Sequence, residues 1–283
     1  MIAVTGATGQ LGRLVVKYLL EKTTKENLLA LVRSPEKAAD LGVSTRSFDY
    51  DLPEELPVAL ANVDVLVLIS SSEIGKRTQQ HRNVIEAAKK AQVKRIVYTS
   101  LLHADTSVMP ILPSEHVETE ALLKESGIDY TILRNGWYTE NYTDSAPLAV
   151  QHGALLGSAG DGKISSATRS DYAEAAAVIA TTPHPDKKLY ELAGDDAYTL
   201  SDLAEKISQQ SGKDISYVNL PESEYAEKLV EAGLPKELSG AIAQFDTGAS
   251  KGALYSDDKS LSKLIGRPTT PLSESVQAAF DNQ

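Results

Sequence analysis

Three glycines stand three residues apart in TGATGQLG, Thr5 to Gly12, directly behind the apolar run Ile2-Ala3-Val4. A strand, a glycine turn and a helix in that order can cradle a phosphate. Gly6 permits the tight turn off the strand, Gly9 keeps a Cβ out of the path of a pyrophosphate, and Gly12 lets the helix pack closely on the sheet. The start of the helix offers free N–H groups and the positive end of its dipole, so Thr8, Gln10 and Leu11 belong to the same cradle. The spacing is G-x-x-G-x-x-G, and no Gly-Lys-Ser/Thr follows, so it is not a Walker loop.

Which dinucleotide fits turns on the tip of the second strand. An acidic residue there would bond a ribose 2′-hydroxyl, and an arginine would take a 2′-phosphate. The segment Leu31-Val32-Arg33-Ser34-Pro35 has Arg33 and no carboxylate. A guanidinium–phosphate contact is charge-assisted and can be bidentate, so NADP(H) is the expected cofactor. Arg13 reads equally as a second phosphate contact or a surface residue. Asp49-Tyr50-Asp51, after the third strand, reads as an adenine contact or a surface turn. Ser70-Ser71-Ser72 and Thr99-Ser100 follow or end the fourth and fifth strands, at the edge where a dinucleotide must run.

Hydride-transfer enzymes on such folds usually carry Tyr-x-x-x-Lys, in which the lysine lowers the tyrosine pKa so that the phenol can trade a proton with substrate. The spacing occurs at Tyr18–Lys22, on the first helix away from the site, and at Tyr255–Lys259, far along the chain. Both read as coincidence. The helix after the fifth strand carries Ser114-Glu115-His116-Val117-Glu118-Thr119-Glu120 instead. The missing pair counts against a nucleotide-sugar epimerase.

The elements that must position these residues follow from hydrophobic period. Strands are expected at Ile2–Thr5, Leu28–Val32, Thr45–Phe48, Val65–Ile69, Arg95–Thr99 and Tyr130–Leu133. Helices are expected at Gln10–Lys22, His81–Ala91 and Ser114–Ser126. Continuously apolar strands alternating with helices predict an α/β fold, a doubly wound parallel sheet of Rossmann type. Beyond Arg134 the rhythm loosens. Gly157–Gly162 reads as a turn, Asp171–Thr182 as a helix and Leu189–Leu192 as a strand. A helix over Thr199–Ser211 is capped by Thr199 or Ser201; a strand at Ile215–Val218 and a helix at Glu222–Ala232 follow. The division expected is a Rossmann domain over 1–134, to which later segments return, and a smaller α/β substrate region over 135–283 on the sheet's carboxyl edge.

The 283 residues carry a net charge of −11 with no basic block, which disfavours nucleic acid and anionic membranes as partners. There is no cysteine, which removes disulfides, thiolate metal sites and cysteine nucleophiles; no metal site is expected. No leader pattern and no apolar run long enough to span a bilayer is seen, so a cytoplasmic protein is the expectation. Assembly as a homodimer is compatible with the chain and not specified by it.

Several segments together resemble one family over essentially the whole chain: TGATGQLG, LVRSPEKA (31–38), ISSSE (69–73), QHRNVIEAAKKAQVKRIVYTSLLHADTS (80–107), EHVETEALL (115–123), YTILRNGWYTENY (130–142) and GDGKISSATRSDYAEAAA (160–177). The chain resembles the NmrA-like branch of atypical short-chain dehydrogenase/reductases, and within it the bacterial NAD(P)H:quinone oxidoreductases of type 2. The resemblance implies a Rossmann domain with a smaller carboxy-terminal domain, an active-site cleft between them, and NADPH as donor to a quinone. It also implies, as the alternative, an NADP(H)-sensing regulator without catalysis, since NmrA-type proteins discriminate oxidised from reduced cofactor. Isoflavone and phenylcoumaran benzylic ether reductases of this branch carry a catalytic lysine after the fifth strand, where Glu120 stands nearest here.

A quinone acceptor fits the missing acid. It is already electrophilic, and its reduced anion takes a proton from water, so catalysis needs alignment more than acid chemistry. For the quinone the candidates are Trp137 and Tyr138, whose faces could sandwich a flat ring or could equally be interdomain core. Asn135 could aim its amide at the nicotinamide or simply make a turn, and His116 could orient a quinone oxygen or donate a proton, or be a satisfied helix histidine. Asn135 and His116 are the catalytic candidates. Arg134 reads as a salt-bridge partner or a functional cation, His103 lies near the site in sequence, and Lys163 and Tyr172 read as packing or as cleft lining.

Overall fold

The computed structural model describes residues 1–281. The chain runs β1 (Ile2–Thr5), α1 (Gln10–Leu20), β2 (Leu28–Val32), β3 (Ser44–Ser47), α2 (Leu56–Ala59), β4 (Val65–Leu68), α3 (Arg77–Lys90), β5 (Arg95–Leu101), α4 (Leu112–Glu125) and β6 (Asp129–Asn135). It continues through α5 (Glu140–Thr143), α6 (Ala146–His152), β7 (Ala154–Gly157), α7 (Arg169–Thr181), β8 (Leu189–Leu192), α8 (Leu200–Ser211) and β9 (Ser216–Asn219). Last come α9 (Glu222–Glu231), α10 (Lys236–Ser250), α11 (Ser260–Ile265) and α12 (Leu272–Asp281).

Seven strands form one parallel sheet in the order β3-β2-β1-β4-β5-β6-β8. Strand order reverses beside β1, which pairs Ile2 with Leu28 of β2 on one side and with Val65 of β4 on the other. Such a switch point opens a crevice beyond the carboxyl ends of the strands. Both faces of the sheet are covered, which is why β1, β2 and β5 are buried at every position and read as unbroken apolar runs. Alternate residues serve opposite layers. Ile2, Val4, Leu28, Ala30 and Val32 pack under α1, α7 and α11, while Ala3, Leu29, Leu31 and Leu66 pack under α2, α3 and α4. The edge strand β3 is polar and half exposed, which discourages pairing with another sheet.

α7 returns to the sheet and lies along α1. Its small side chains Ala173, Ala175, Ala176, Ala177 and Ala180 are buried, and Tyr18 of α1 meets Ser170 at 2.7 Å. Thr168 and Asp171 close a reciprocal capping box at its start. A third core gathers Ala146, Leu155, Ile164, Leu203, Ile207 and Val276 around a two-stranded parallel sheet of β7 and β9.

The sequence pattern and the structure differ mainly at element ends. β5 and β6 run on to Leu101 and Asn135, so Ser100 and Asn135 are strand residues. α3 starts at Arg77, four residues early by the apolar pattern, because its polar first turn is buried through specific pairing. β7 is too short and half-buried to signal as a strand, and it ends at Gly157, where the expected turn begins. Of the two capping candidates for α8, Thr199 is the cap, paired with Asp202.

Candidate active site

At the switch point the chain leaves β1 through Gly6, which adopts the left-handed φ of 57°. Gly9 donates its N–H to Gly6 O at 2.9 Å and is the N-cap of α1, with no side-chain cap among the described residues. The first amides of the helix are therefore left to a ligand. A Cβ on Gly12 would lie 2.2 Å from Gly6 O, so the strand–helix approach requires glycine there.

This loop forms one wall of a cleft of about 640 Å³. Gly6, Thr8, Gly9, Gln10, Leu11, Gly12, Arg33, Ser70, Ser71, Ser72 and Tyr138 all line it, so most of the residues singled out from sequence meet in one place. Asp49 and Tyr50 line it as well, and Asp51 accepts a hydrogen bond from Gln80 Nε2 at 3.2 Å. Arg33 stands at the end of β2 with 71% of its side chain exposed, 3.4 Å from Glu73. Arg13 does not line the cleft; it bonds Asp40 at 2.6 Å and the carbonyls of Thr8 and Lys37.

Several expected contacts are buried and do not line the cleft. Thr99 Oγ1 accepts the Ser70 N–H at 3.0 Å, and Ser100 donates to Glu120 at 2.7 Å. The catalytic expectation for His116 is corrected. Its ring is buried in the layer of α4, its Nδ1 is 2.7 Å from the Tyr98 hydroxyl, and burial together with the Arg77 charge pulls its pKa well below the ordinary value. A neutral, enclosed imidazole cannot reach an acceptor in the cleft. His103 donates its backbone N–H to Glu191, Lys163 is exposed, and Tyr172 is buried beneath Gly136, where it serves packing. Trp137 packs edge-on against Phe245 of α10 at 5.2 Å, at the border of the third core. Asn135 is buried, and its Oδ1 has no partner among the described residues. Such an acceptor is costly unless something supplies a donor.

Neither Tyr-x-x-x-Lys spacing reaches the cleft. Tyr18 is bonded to Ser170, and Tyr255 is exposed while Lys259 contacts Asp195. The tyrosines that do line the cleft, Tyr50 and Tyr138, have pKa values raised by burial. That is the reverse of what a lysine-assisted phenol needs.

Five charged or amide side chains that line the cleft were not singled out from the sequence: Lys37, Glu73, Arg77, Gln80 and Arg169. Arg77 is buried, donates to Ser71 O at 2.6 Å and pairs with Glu115 at 2.9 Å. Beside it the Ser71 N–H donates to His81 Nε2 at 2.9 Å, which leaves Nδ1 as the donor to Thr119. His81 is thus neutral, its pKa pulled down to about 3 by burial and then by Arg77. Lys37, four residues after Arg33, and Glu73, next to Ser72, had a signal in the sequence; Arg77, Gln80 and Arg169 were brought in by packing.

A glycine cradle at the switch point and cations at and just after the tip of the second strand define a dinucleotide-binding protein, and no Tyr-x-x-x-Lys pair among the described residues lines its cleft. A family model described as NAD(P)H-binding matches residues 6–183. Quinone oxidoreductase 2 of Escherichia coli is 54% identical over 284 residues, covering 99% of each chain. The crystal structure of the NADPH-dependent quinone oxidoreductase of that organism complexed with NADPH superposes with a TM-score of 0.96, over 99% of this chain and 100% of that one, at 54% identity. Citrobacter triphenylmethane reductase complexed with NADP(H) gives a TM-score of 0.95 at 38% identity, over 99% and 100% of the two chains. An NmrA-like family domain-containing oxidoreductase of Aspergillus flavus is 30% identical over 97% of this chain and 93% of its own. The chain belongs to this NAD(P)H-binding, NmrA-like family. No described helix is long and apolar enough to cross a membrane.

Proposed function

We propose that the chain is an NADPH-dependent quinone oxidoreductase that acts without flavin and without a Tyr-x-x-x-Lys acid. The carrying observation is the 54% identity over 99% of both chains to a quinone oxidoreductase. The cleft supports it: the amides of Gly9 to Gly12 suit a pyrophosphate, and Arg33 with Lys37 suits a 2′-phosphate. Asn135 Oδ1, buried and unpaired, suits the carboxamide N–H of a nicotinamide. When bound, NADPH supplies a hydride, which together with one proton converts a quinone to a hydroquinone. The protein's part is to hold the reactants aligned, and the proton that completes the hydroquinone comes from water. Tyr138 and Trp137 are the proposed ring contacts, and Ser70 to Ser72 the cofactor contacts just after β4. Thr99 holds that loop by accepting the Ser70 N–H. Glu120, the nearest candidate for the position of the lysine that the resemblance implies for some relatives, is bonded to Ser100 and Arg134, so it offers no proton to the cleft.

The catalytic reading is preferred to a dinucleotide-sensing regulator because the two full-length relatives at 54% and 30% identity are named as oxidoreductases. A cytoplasmic setting is part of the proposal, supported by the acidic, cysteine-free chain. The test is to mix purified protein, NADPH and a soluble quinone and to follow the near-ultraviolet absorbance of the reduced cofactor. Tight NADPH binding without turnover on any of several quinones would sink the proposal.

A further inference from the structure

One wall of the cleft is the segment 69–76, which lies between β4 and α3 and belongs to neither. Ile69, Ser70, Ser71, Ser72 and Glu73 of this segment line the cleft. With no ladder of its own, the backbone is held by side chains from other elements. Ile69 N–H donates to Thr5 Oγ1 and Ser70 N–H to Thr99 Oγ1, each at 3.0 Å, and Ser71 N–H donates to His81 Nε2 at 2.9 Å. These three fix the end nearer β4. Beyond Ser71 the backbone bonds to near neighbours in the chain, as in Ile74 N–H to Ser72 O at 3.2 Å and Lys76 N–H to Glu73 O at 3.1 Å. The exception is Gly75, whose N–H donates to Glu115 Oε1 at 3.0 Å.

Glu115 stands in the first turn of α4, is buried and does not line the cleft. Its other oxygen, Oε2, accepts from Arg77 Nη1 at 2.9 Å, and Arg77 Nε donates to Ser71 O at 2.6 Å. One carboxylate thus braces the segment twice, directly at Gly75 and through Arg77 at Ser71. Both charged side chains are buried, where charge-assisted hydrogen bonds are strong. A wall that is not ordered beforehand must be ordered by its ligand, and apparent affinity falls by the fraction of time the wall is competent.

We propose that Glu115 is a positioning residue that holds the 69–76 wall in its binding-competent form before the cofactor arrives. This rests on the cleft being the cofactor site. Glu115 acts through Gly75 and Arg77 and not by touching the dinucleotide, so NADPH and NADH depend on it alike.

Two measurements on the full chain test it. Hydrogen exchange, read by mass spectrometry on peptides spanning 69–76, α3 and α4, needs no cofactor. In Glu115→Gln one carbonyl oxygen remains, but the new NH2 group confronts the Arg77 fork, so one arm of the brace is lost. Exchange over 69–76 should quicken about tenfold in the free protein, leave the later turns of α3 and α4 near wild type, and slow again when NADPH is saturating. Titration should show NADPH and NADH weakened by a common factor of about ten, as for a wall competent about a tenth of the time. Should the single variant fail to fold with Arg77 unpaired, Arg77→Met/Glu115→Leu removes both charges together and should give the same exchange pattern. Unchanged exchange over 69–76 in a folded variant overturns the proposal alone, and so does unchanged affinity in folded Glu115→Gln. Exchange that quickens equally throughout α3 and α4 also overturns it, because Glu115 would then serve stability only. A wild-type protein that binds neither NADPH nor NADH overturns it together with the cofactor reading.

Discussion

Arg134 holds Glu120 by two parallel hydrogen bonds, Nε to Oε1 at 2.9 Å and Nη2 to Oε2 at 2.8 Å, with both side chains buried. The same guanidinium reaches Glu191 at 2.9 Å and Asp105 at 2.8 Å. Burial opposes its charge, yet these carboxylates prevail and raise its pKa above the ordinary value. Glu120 is thus the anionic half of a buried pair. Removing one partner of a buried pair costs about 3–5 kcal/mol when the other is left uncompensated; here Glu191 and Asp105 still hold Arg134, so the loss on removing Glu120 should fall below that range. Glu120→Lys should therefore cost at least as much as Glu120→Gln, because it sets two cations together. Urea unfolding of both variants checks this, and a lysine variant as stable as wild type would remove the pair from the account.

Much of this architecture was legible because it is periodic. β1, β2 and β8 lie where their apolar runs end, and the glycine spacing announced the cradle before any contact was known. Legibility fell where polar residues do the packing. Nothing in RTQQ says that Arg77 and Gln80 are buried, because their burial depends on Glu115 and Ser71 from other elements. The same limit hid Arg169, whose place depends on a backbone bridge to the Tyr138 segment across the fold. It also made His116 look available: helix spacing placed it near the fifth strand, but not which way its ring would turn.

Arg33 should set the choice between cofactors. Its nearest charge is Glu73 at 3.4 Å, an exposed pair worth little, so a 2′-phosphate can take the guanidinium over. A hydrogen bond to a charged group contributes roughly 1.5–3 kcal/mol. Arg33→Ala should thus weaken NADPH by about tenfold to a hundredfold and change NADH by less than about twofold. Direct titration of both nucleotides decides it, and equal losses would refute the phosphate role.

Gly12→Ala should abolish the cradle. The added methyl would meet Gly6 O at 2.2 Å and Ala7 Cα at 2.8 Å, both backbone atoms that cannot rotate aside. Overpacking of this kind costs typically about 1–3 kcal/mol, and the upper end is expected here. At Gly9 the corresponding distance is 3.2 Å, so Gly9→Ala should unfold less readily while still hindering the pyrophosphate. Thermal melting with and without NADPH separates the two effects. A Gly12→Ala protein with wild-type stability and affinity would contradict the close-approach argument.

Trp137 divides two readings of the acceptor pocket. It packs edge-on against Phe245 and borders the third core, next in sequence to Tyr138 in the cleft wall. If it supports a quinone ring, Trp137→Ala should raise the quinone KM by about tenfold, the equivalent of about 1.4 kcal/mol, and spare the NADPH Kd. Steady-state kinetics beside a melting curve settles the matter. A fall in Tm with an unchanged KM in the folded protein would make Trp137 core alone.

The paired histidines beneath the cleft give the fold a defined acid limit. His81 and His116 are both buried and neutral, His81 with its pKa pulled down to about 3 and His116 with its pKa well below 6.5, by burial first and then by Arg77. In the unfolded chain each titrates near 6.5. Below about 6.5, and for His81 down to about 3, the unfolded state binds protons that the native state refuses, so stability falls as pH falls below about 6.5. Each histidine contributes up to about 1.4 kcal/mol per pH unit, and neither contributes a slope well above 6.5. His116→Gln keeps a partner for the Tyr98 hydroxyl and removes one of the two titrations. Urea unfolding from pH 7.5 down to about 5 should show a shallower decline for this variant than for wild type. Parallel declines would mean that His116 is protonated in the native protein and that its enclosure is not what limits acid stability.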